Sequence, residues 1–160
     1  MITLGLISDT HGWLDPAIAD WFGTVDTILH AGDVGNEATL LALQAVAPTV
    51  AVRGNVDGGP WAQALPTEVV HTVGERRIGL RHIAGSPRRP TRDALTFIAR
   101  ARPDVLLVGH SHIAVVQWRD GVLWINPGAA GRQGFQKERT IMKLYVGEKL
   151  DIDVISLGKR

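Results

Sequence analysis

The chain has 160 residues, enough for one compact unit with a substantial core. Its formal net charge is +1, with 45% hydrophobic and 21% charged residues, so no global field argues for nucleic acid or a membrane surface. It contains no cysteine, which excludes disulfides and thiolate metal sites and leaves nitrogen and oxygen as the ligands open to any metal.

Met1-Ile2-Thr3-Leu4 runs straight into a strand pattern, without the basic region and cleavage site of a signal peptide. No apolar run is long enough to span a bilayer, so a soluble, cytoplasmic protein is the expectation. Ile2 to Ser8 reads as a strand buried on both faces. Leu14 to Phe22 has helical spacing, with Asp15-Pro16 as its start. Thr27 to Ala31 is a second buried strand, Glu37 to Val46 a helix ended by Pro48, and Thr49 to Arg53 a third strand. Strand, helix, strand, helix, strand in this order implies parallel crossovers. Gly58 to Pro66 reads as a loop, and Glu68 to Val73 with Arg77 to His82 as a hairpin turning at Gly74-Glu75. Gly85 to Pro90 is a loop, Thr91 to Ala101 a helix capped by Thr91, and Asp104 to Val108 a buried strand. Ile113 to Arg119 and Val122 to Ile125 join at the strong turn Asp120-Gly121. After a Gly-rich loop over Asn126 to Gly134, Arg139 to Val146 and Leu150 to Ser156 form a last hairpin. The expectation is a single α/β domain over 1–160, with two packed sheets flanked by helices.

Four polar clusters fall where apolar strands stop: Asp9-Thr10-His11, Gly32-Asp33-Val34, Gly54-Asn55-Val56-Asp57 and Gly109-His110-Ser111-His112. Ends of neighbouring strands converge, so the four can build one site. Taken singly, Asp9, Asp33 and Asn55 also read as turn residues. The pair His110 and His112, straight after a buried strand, has less structural reason to be there, since a satisfied core histidine explains one imidazole better than two. Of the six histidines, His11, His82, His110 and His112 all sit at strand ends beside the clusters. Carboxylates, imidazoles and an amide are ligands for paired divalent metals, which mostly hydrolyse phosphate or peptide bonds.

The ordered set Asp-x-His, Gly-Asp, Gly-Asn-x-Asp, a strand-end His, Gly-His-x-His and Asn126-Pro127-Gly128 resembles the calcineurin-like metallophosphoesterases nearly end to end. It looks closest to their small single-domain phosphodiesterase branch. The resemblance implies a four-layer sandwich of two mixed β-sheets flanked by α-helices. It implies that Asp9, His11, Asp33 and His112 bind one metal. Asp33, Asn55, His82 and His110 would bind a second, with Asp33 bridging. It leans towards Mn, with Ni, Fe, Co or Zn as alternatives. The implied reaction is hydrolysis of phosphate diesters by in-line attack of a metal-bridging hydroxide, with Asp33, Asn55 and His110 as its catalytic residues. The chain departs from the family at Val56, where many relatives carry a proton-donating His, and at Ile83, where Gly is usual after the ligand His.

Other residues carry two readings each. Asp57 orients His11 or His110, or is a turn carboxylate. His30 supports the bridging region, or is a buried His bonded to backbone. Arg88 and Arg89 hold a substrate phosphate, or form a solvated loop. Trp13 stacks a base or aryl group of the substrate, or packs on the neighbouring helix. The expected partner is a small-molecule phosphodiester. Nucleic acid and membrane are not indicated, and a homodimer or homotetramer through exposed strands is plausible. Two alternatives stay open: a catalytically weak binding scaffold on the same fold, and a phosphomonoesterase or nuclease of the same superfamily.

Overall fold

A computed structural model describes residues 1–160. The elements run β1 (Ile2–Ile7), α1 (Ala17–Phe22), β2 (Thr27–His30), α2 (Glu37–Val46), β3 (Thr49–Ala51), α3 (Pro60–Gln63), β4 (Glu68–Val73), β5 (Arg76–Arg81), α4 (Arg92–Ala101), β6 (Val105–Leu107), β7 (Val115–Arg119), β8 (Val122–Asn126), β9 (Glu138–Val146) and β10 (Leu150–Lys159). They form two five-stranded mixed sheets, ordered β10-β9-β1-β2-β3 and β4-β5-β6-β8-β7. In the first, β1, β2 and β3 are parallel and β9 pairs antiparallel with β1. In the second, β5, β6 and β8 are parallel, and β4 and β7 are antiparallel edges.

Strand alternation sorts the apolar residues into layers. Leu4, Leu6, Leu29 and Val52 of the first sheet pack with Ile78, Leu80, Leu107 and Ile125 of the second, making the core between the sheets. The opposite face of the first sheet offers Ile7 and Ile28 to Ile18, Phe22 and Leu43 of α1 and α2. The outer face of the second offers Leu106 and Trp124 to Ala94, Phe97 and Ala101 of α4. The result is helix, sheet, sheet, helix, the expected four layers.

Local signals set the helix ends. Asn36 Oδ1 accepts from Thr39 N–H at 2.9 Å and opens α2, and Thr91 Oγ1 accepts from Ala94 N–H at 3.1 Å and opens α4. The first helix is shorter than its periodicity suggests, because Asp15 Oδ1 accepts from Ala17 N–H at 2.9 Å and helix begins only there. A short helix, α3, stands inside the predicted loop, with Pro60 in its first turn. The last strand reaches Lys159, past a register shift between Ser156 and Gly158. No helix is long and apolar enough to cross a membrane.

Candidate metal centre

The parallel strands of both sheets deliver their carboxyl ends to one place. Asp9 follows β1, Asp33 follows β2, Asn55 follows β3, His82 follows β5, and His110 and His112 follow β6. Asp9, His11, Asp33, His110 and His112 all have positive φ, between 48° and 73°. Left-handed backbone costs an ordinary residue about 1–3 kcal/mol, and Asp, Asn and His tolerate it better than most. Ladder-like bonds hold these turns: Asp9 N–H donates to Gly32 O at 3.0 Å, and His11 N–H donates to Asp33 O at 3.0 Å. Two glycines let the loops close in. A Cβ at Gly109 would lie 2.2 Å from Ser8 Oγ and 2.8 Å from Asp9 Oδ2, and one at Gly54 would lie 2.1 Å from Asp33 Oδ1.

Six residues gather into two groups, Asp9 with His11 and His112, and Asp33 with His82 and His110. Asn55 joins the second, its Oδ1 3.1 Å from His110 Nδ1. Burial is graded. Asp9, Asp33 and His82 are buried, His11 and His112 half-buried, and Asn55 and His110 exposed at the mouth. Each carboxylate divides its oxygens. Asp9 Oδ2 accepts from Ser8 Oγ at 2.6 Å and His110 N–H at 3.1 Å, and Asp33 Oδ1 accepts from Val56 N–H at 3.0 Å. The other oxygens turn inward: Asp9 Oδ1 lies 3.2 Å from His112 Nε2, and Asp33 Oδ2 lies 3.1 Å from His82 Nε2 and 3.7 Å from His11 Nε2.

Two of the imidazole protons are already committed elsewhere. His82 Nδ1–H donates to Ala31 O at 2.8 Å, and His112 Nδ1–H donates to Gln136 Oε1 at 2.9 Å. In the neutral rings the Nε2 lone pairs therefore face carboxylate lone pairs. Asp9 Oδ1 and His82 Nε2 are buried without any hydrogen-bond partner. Such an arrangement is repulsive until positive charge sits between the groups. The same demand appears in the direction of the pKa shifts. Burial works against the Asp9 carboxylate, yet His11, His112, His82 and Ser8 outweigh it and hold the carboxyl well below its usual range. Asp33 is also lowered: burial opposes this, and His82 and the Val56 amide prevail. Asp9 raises His112. The donor set, nitrogen and oxygen with inward lone pairs, fits divalent cations.

Several residues hold this arrangement. Gln136, buried and without any signal in the sequence, donates its amide to Gly131 O at 3.3 Å and Gln133 O at 2.6 Å, which leaves its oxygen as acceptor for His112. Asn126 donates to Gly109 O and Ser111 Oγ, both at 3.1 Å, and steadies the loop bearing both histidines. His30 accepts from Gly32 N–H at 3.0 Å through Nδ1, and its Nε2–H donates to Thr10 Oγ1 at 3.0 Å. Thr10 in turn donates to Val34 O at 2.9 Å, so a neutral chain ties the Asp9 turn to the Asp33 turn. Burial pushes the His30 imidazole down to about 4, which keeps it neutral. Both readings of His30 therefore describe one role, backbone support beside Asp33.

Asp57 corrects one expectation. It orients no imidazole; it accepts from the N–H groups of Gly54 at 2.8 Å, Gly35 at 2.9 Å and Val34 at 3.3 Å. It is a turn carboxylate that fixes the loops carrying Asp33 and Asn55. The Trp13 ring carries the Arg132 guanidinium at 4.2 Å and that of Arg139 at 4.9 Å, so these arginines already hold it. Arg88 and Arg89 are exposed and pair with no carboxylate. Ile83 turns to solvent, and His82 keeps its place against Asp33 beside it. Val56 is exposed near the mouth and offers no proton.

The profile described as "Calcineurin-like phosphoesterase superfamily domain" matches residues 2–149. A probable metallophosphoesterase of Methanothermobacter thermautotrophicus is 30% identical over 160 residues, covering 97% of this chain and 92% of that protein. Among solved structures, one described as a novel archaeal phosphodiesterase superposes with a TM-score of 0.77 at 24% identity, covering 98% of this chain and 100% of that one. Wild-type Vps29 from Entamoeba histolytica, complexed with Zn2+, superposes with a TM-score of 0.75 at 20% identity, over 97% and 99% of the two chains. With its two candidate ligand groups, its two-sheet fold and a match over nearly its whole length, this chain belongs to the calcineurin-like phosphoesterase superfamily.

Proposed function

We propose that the protein is a phosphodiesterase with two divalent cations. Asp9, His11, Asp33 and His112 hold one, and Asp33, Asn55, His82 and His110 hold the other, with Asp33 shared between them. The observation that carries this reading is the set of inward carboxylate oxygens and imidazole lone pairs at 3.1–3.2 Å, two of whose atoms have no partner in the protein. When bound, such a cation pair acts as a Lewis acid on a phosphoryl group and brings the pKa of water towards neutrality. Ligands without sulfur suit Mn, Ni, Fe, Co or Zn, and the resemblance to the family leans towards Mn.

The protein's own contribution is position. Asp9 and Asp33 are buried and anchored on one oxygen each, so their charges need no reorganisation during the reaction. Asn55 and His110 stand exposed at the mouth, where an incoming ester meets the site. Val56 gives the leaving group no proton. Esters with good leaving groups, such as aryl diesters, are therefore the preferred substrates, and alkyl monoesters react poorly. The archaeal neighbour described as a phosphodiesterase supports the same choice.

The test is hydrolysis of bis-p-nitrophenyl phosphate against p-nitrophenyl phosphate by metal-stripped protein with added Mn, for wild type and Asp33→Ala. Metal-dependent diester cleavage that disappears in the variant is the expected result. Absence of turnover with Mn, Ni, Fe, Co and Zn alike, from folded protein, would overturn the reading in favour of a binding scaffold on this fold.

A further inference from the structure

A cavity of about 310 Å3 opens directly beside His110. Its wall is made by Trp124, Val108, Val115, Ile113 and Pro87, with the backbone of Gly109 leading to His110. Trp124 and Val108 are buried and belong to the apolar layer beneath α4, so core packing fixes the floor of the slot. Of the polar side chains at its edge, Asn126 is fully engaged within the protein, and the oxygens of Ser86 and Ser111 accept backbone N–H bonds, Ser86 Oγ from Arg89 at 3.1 Å. Asn126 donates to Gly109 O and Ser111 Oγ and accepts from Gly128 N–H at 3.0 Å, while Ser111 Oγ also accepts from Ile113 N–H at 3.2 Å. The serine O–H groups remain only at the rim, and the wall of Trp124, Val108, Val115 and Ile113 offers no partner to hydroxyls or the edge of a base, whose burial there is unfavourable. The volume lies at the small end of ligand sites, suited to one ring system rather than an extended chain.

We propose that this slot is a specificity subsite that takes an apolar aromatic substituent of the diester whose phosphoryl group meets His110. The proposal rests on the phosphodiesterase reading and deepens it: the natural substrate carries an aryl or similarly apolar planar arm rather than a bare sugar or a second charged group. Val115 and Ile113 act as specificity-determining residues, because they form the side of the slot that core packing does not fix.

Binding and turnover test it separately. Methyl(phenyl)phosphinate and dimethylphosphinate have P–C bonds that the enzyme cannot hydrolyse. Their affinities for Mn-loaded protein are compared by calorimetry, and for Zn-loaded protein the Val115 and Ile113 methyl signals are followed by NMR. The phenyl compound is expected to bind about tenfold tighter or better, with both methyl signals shifted. Val115→Phe, which fills the slot, and Ile113→Asn, an exposed and readily tolerated change, both reduce that preference. In turnover, phenyl p-nitrophenyl phosphate is favoured over methyl p-nitrophenyl phosphate through KM, and the two variants narrow the gap. Equal affinities, or a preference that survives both substitutions, overturn the subsite and leave the phosphodiesterase reading intact. A phenyl preference with slot shifts but no diester hydrolysis by any metal form supports the subsite and overturns the phosphodiesterase reading.

Discussion

Gln136→Leu removes one acceptor and one donor from the support of His112 while nearly keeping the size of the side chain. In the folded protein the His112 Nδ1–H loses its partner at 2.9 Å, and the carbonyls of Gly131 and Gln133 lose a donor. A buried group left unpartnered costs about 1–3 kcal/mol, and water can reach half-buried His112, so a loss of roughly 1–2 kcal/mol in stability is expected. The larger effect falls on the centre. Without Gln136 nothing holds the proton on Nδ1, and a proton on Nε2 blocks the nitrogen that faces Asp9. Loss of such an outer partner lowers metal affinity about 10–100-fold, equivalent to about 1.4–2.8 kcal/mol. Calorimetric titration of Zn or Mn into metal-stripped wild type, Gln136→Leu and Gln136→Glu measures the affinity. Urea unfolding of the metal-free forms measures the structural part. Gln136→Glu keeps an acceptor for His112 but sets a carboxylate oxygen against the Gly131 and Gln133 carbonyls, so it is expected to recover metal binding in part while losing stability in the metal-free form. Unchanged affinity in Gln136→Leu, or equal losses in both variants, would refute the reasoning, because packing rather than the acceptor would then be at work.

Val56→His places a proton donor at the exposed position beside Asn55, and a gain on poor leaving groups, with little change on p-nitrophenyl esters, is the expected kinetic signature. No selective gain in kcat/KM would count against the leaving-group argument. Asp15 is the second target. Its hydrogen bond from Arg139 holds the carboxyl below its usual range, with burial opposing, so the pair stabilises the folded state at neutral pH. Because the folded pKa is depressed, that contribution is complete above the ordinary carboxylate value of about 3.9 and is lost as pH falls through the folded pKa. Asp15→Asn is therefore expected to be less stable than wild type by about 1.5 kcal/mol at pH 7, with a gap that closes in acid. A gap independent of pH in urea unfolding would show that the charge is not responsible.

The legible parts of the chain were those whose cause is local. The second helix runs from Glu37 to Val46 as its following Pro48 indicates, and Asp120-Gly121 turns the hairpin between β7 and β8. The four strand-end clusters could be read because polar residues interrupt continuous apolar runs. Elements governed by a single side chain were harder. Asp15 delays α1, and Pro60 starts a one-turn helix in a stretch dominated by glycine and proline. Beyond Ser156 the polar end of β10 continues only because β9 pairs with it across the register shift. Gln136 was invisible for a different reason. It meets His112 across 24 residues, and its role depends on two carbonyls that lock its amide, a geometry no spacing encodes. Asp57 had the right residue type for a partner of imidazole, but the nearby N–H groups of tight turns claimed it first.

The positive φ angles at Asp9, His11, Asp33, His110 and His112 have an evolutionary consequence. These positions are filtered twice, once by chemistry and once by the ribosome's product simply having to fold. β-branched residues fit left-handed backbone poorly, while Gly and Asn fit it well. A library scored only for cellular abundance, with no substrate and no selection for activity, should deplete Val, Ile and Thr at these five sites and spare Gly and Asn. The outline of the centre would then emerge from foldability alone. A lineage that abandoned hydrolysis would drift first towards Gly and Asn here, keeping the shape of the loops after the ligands were gone.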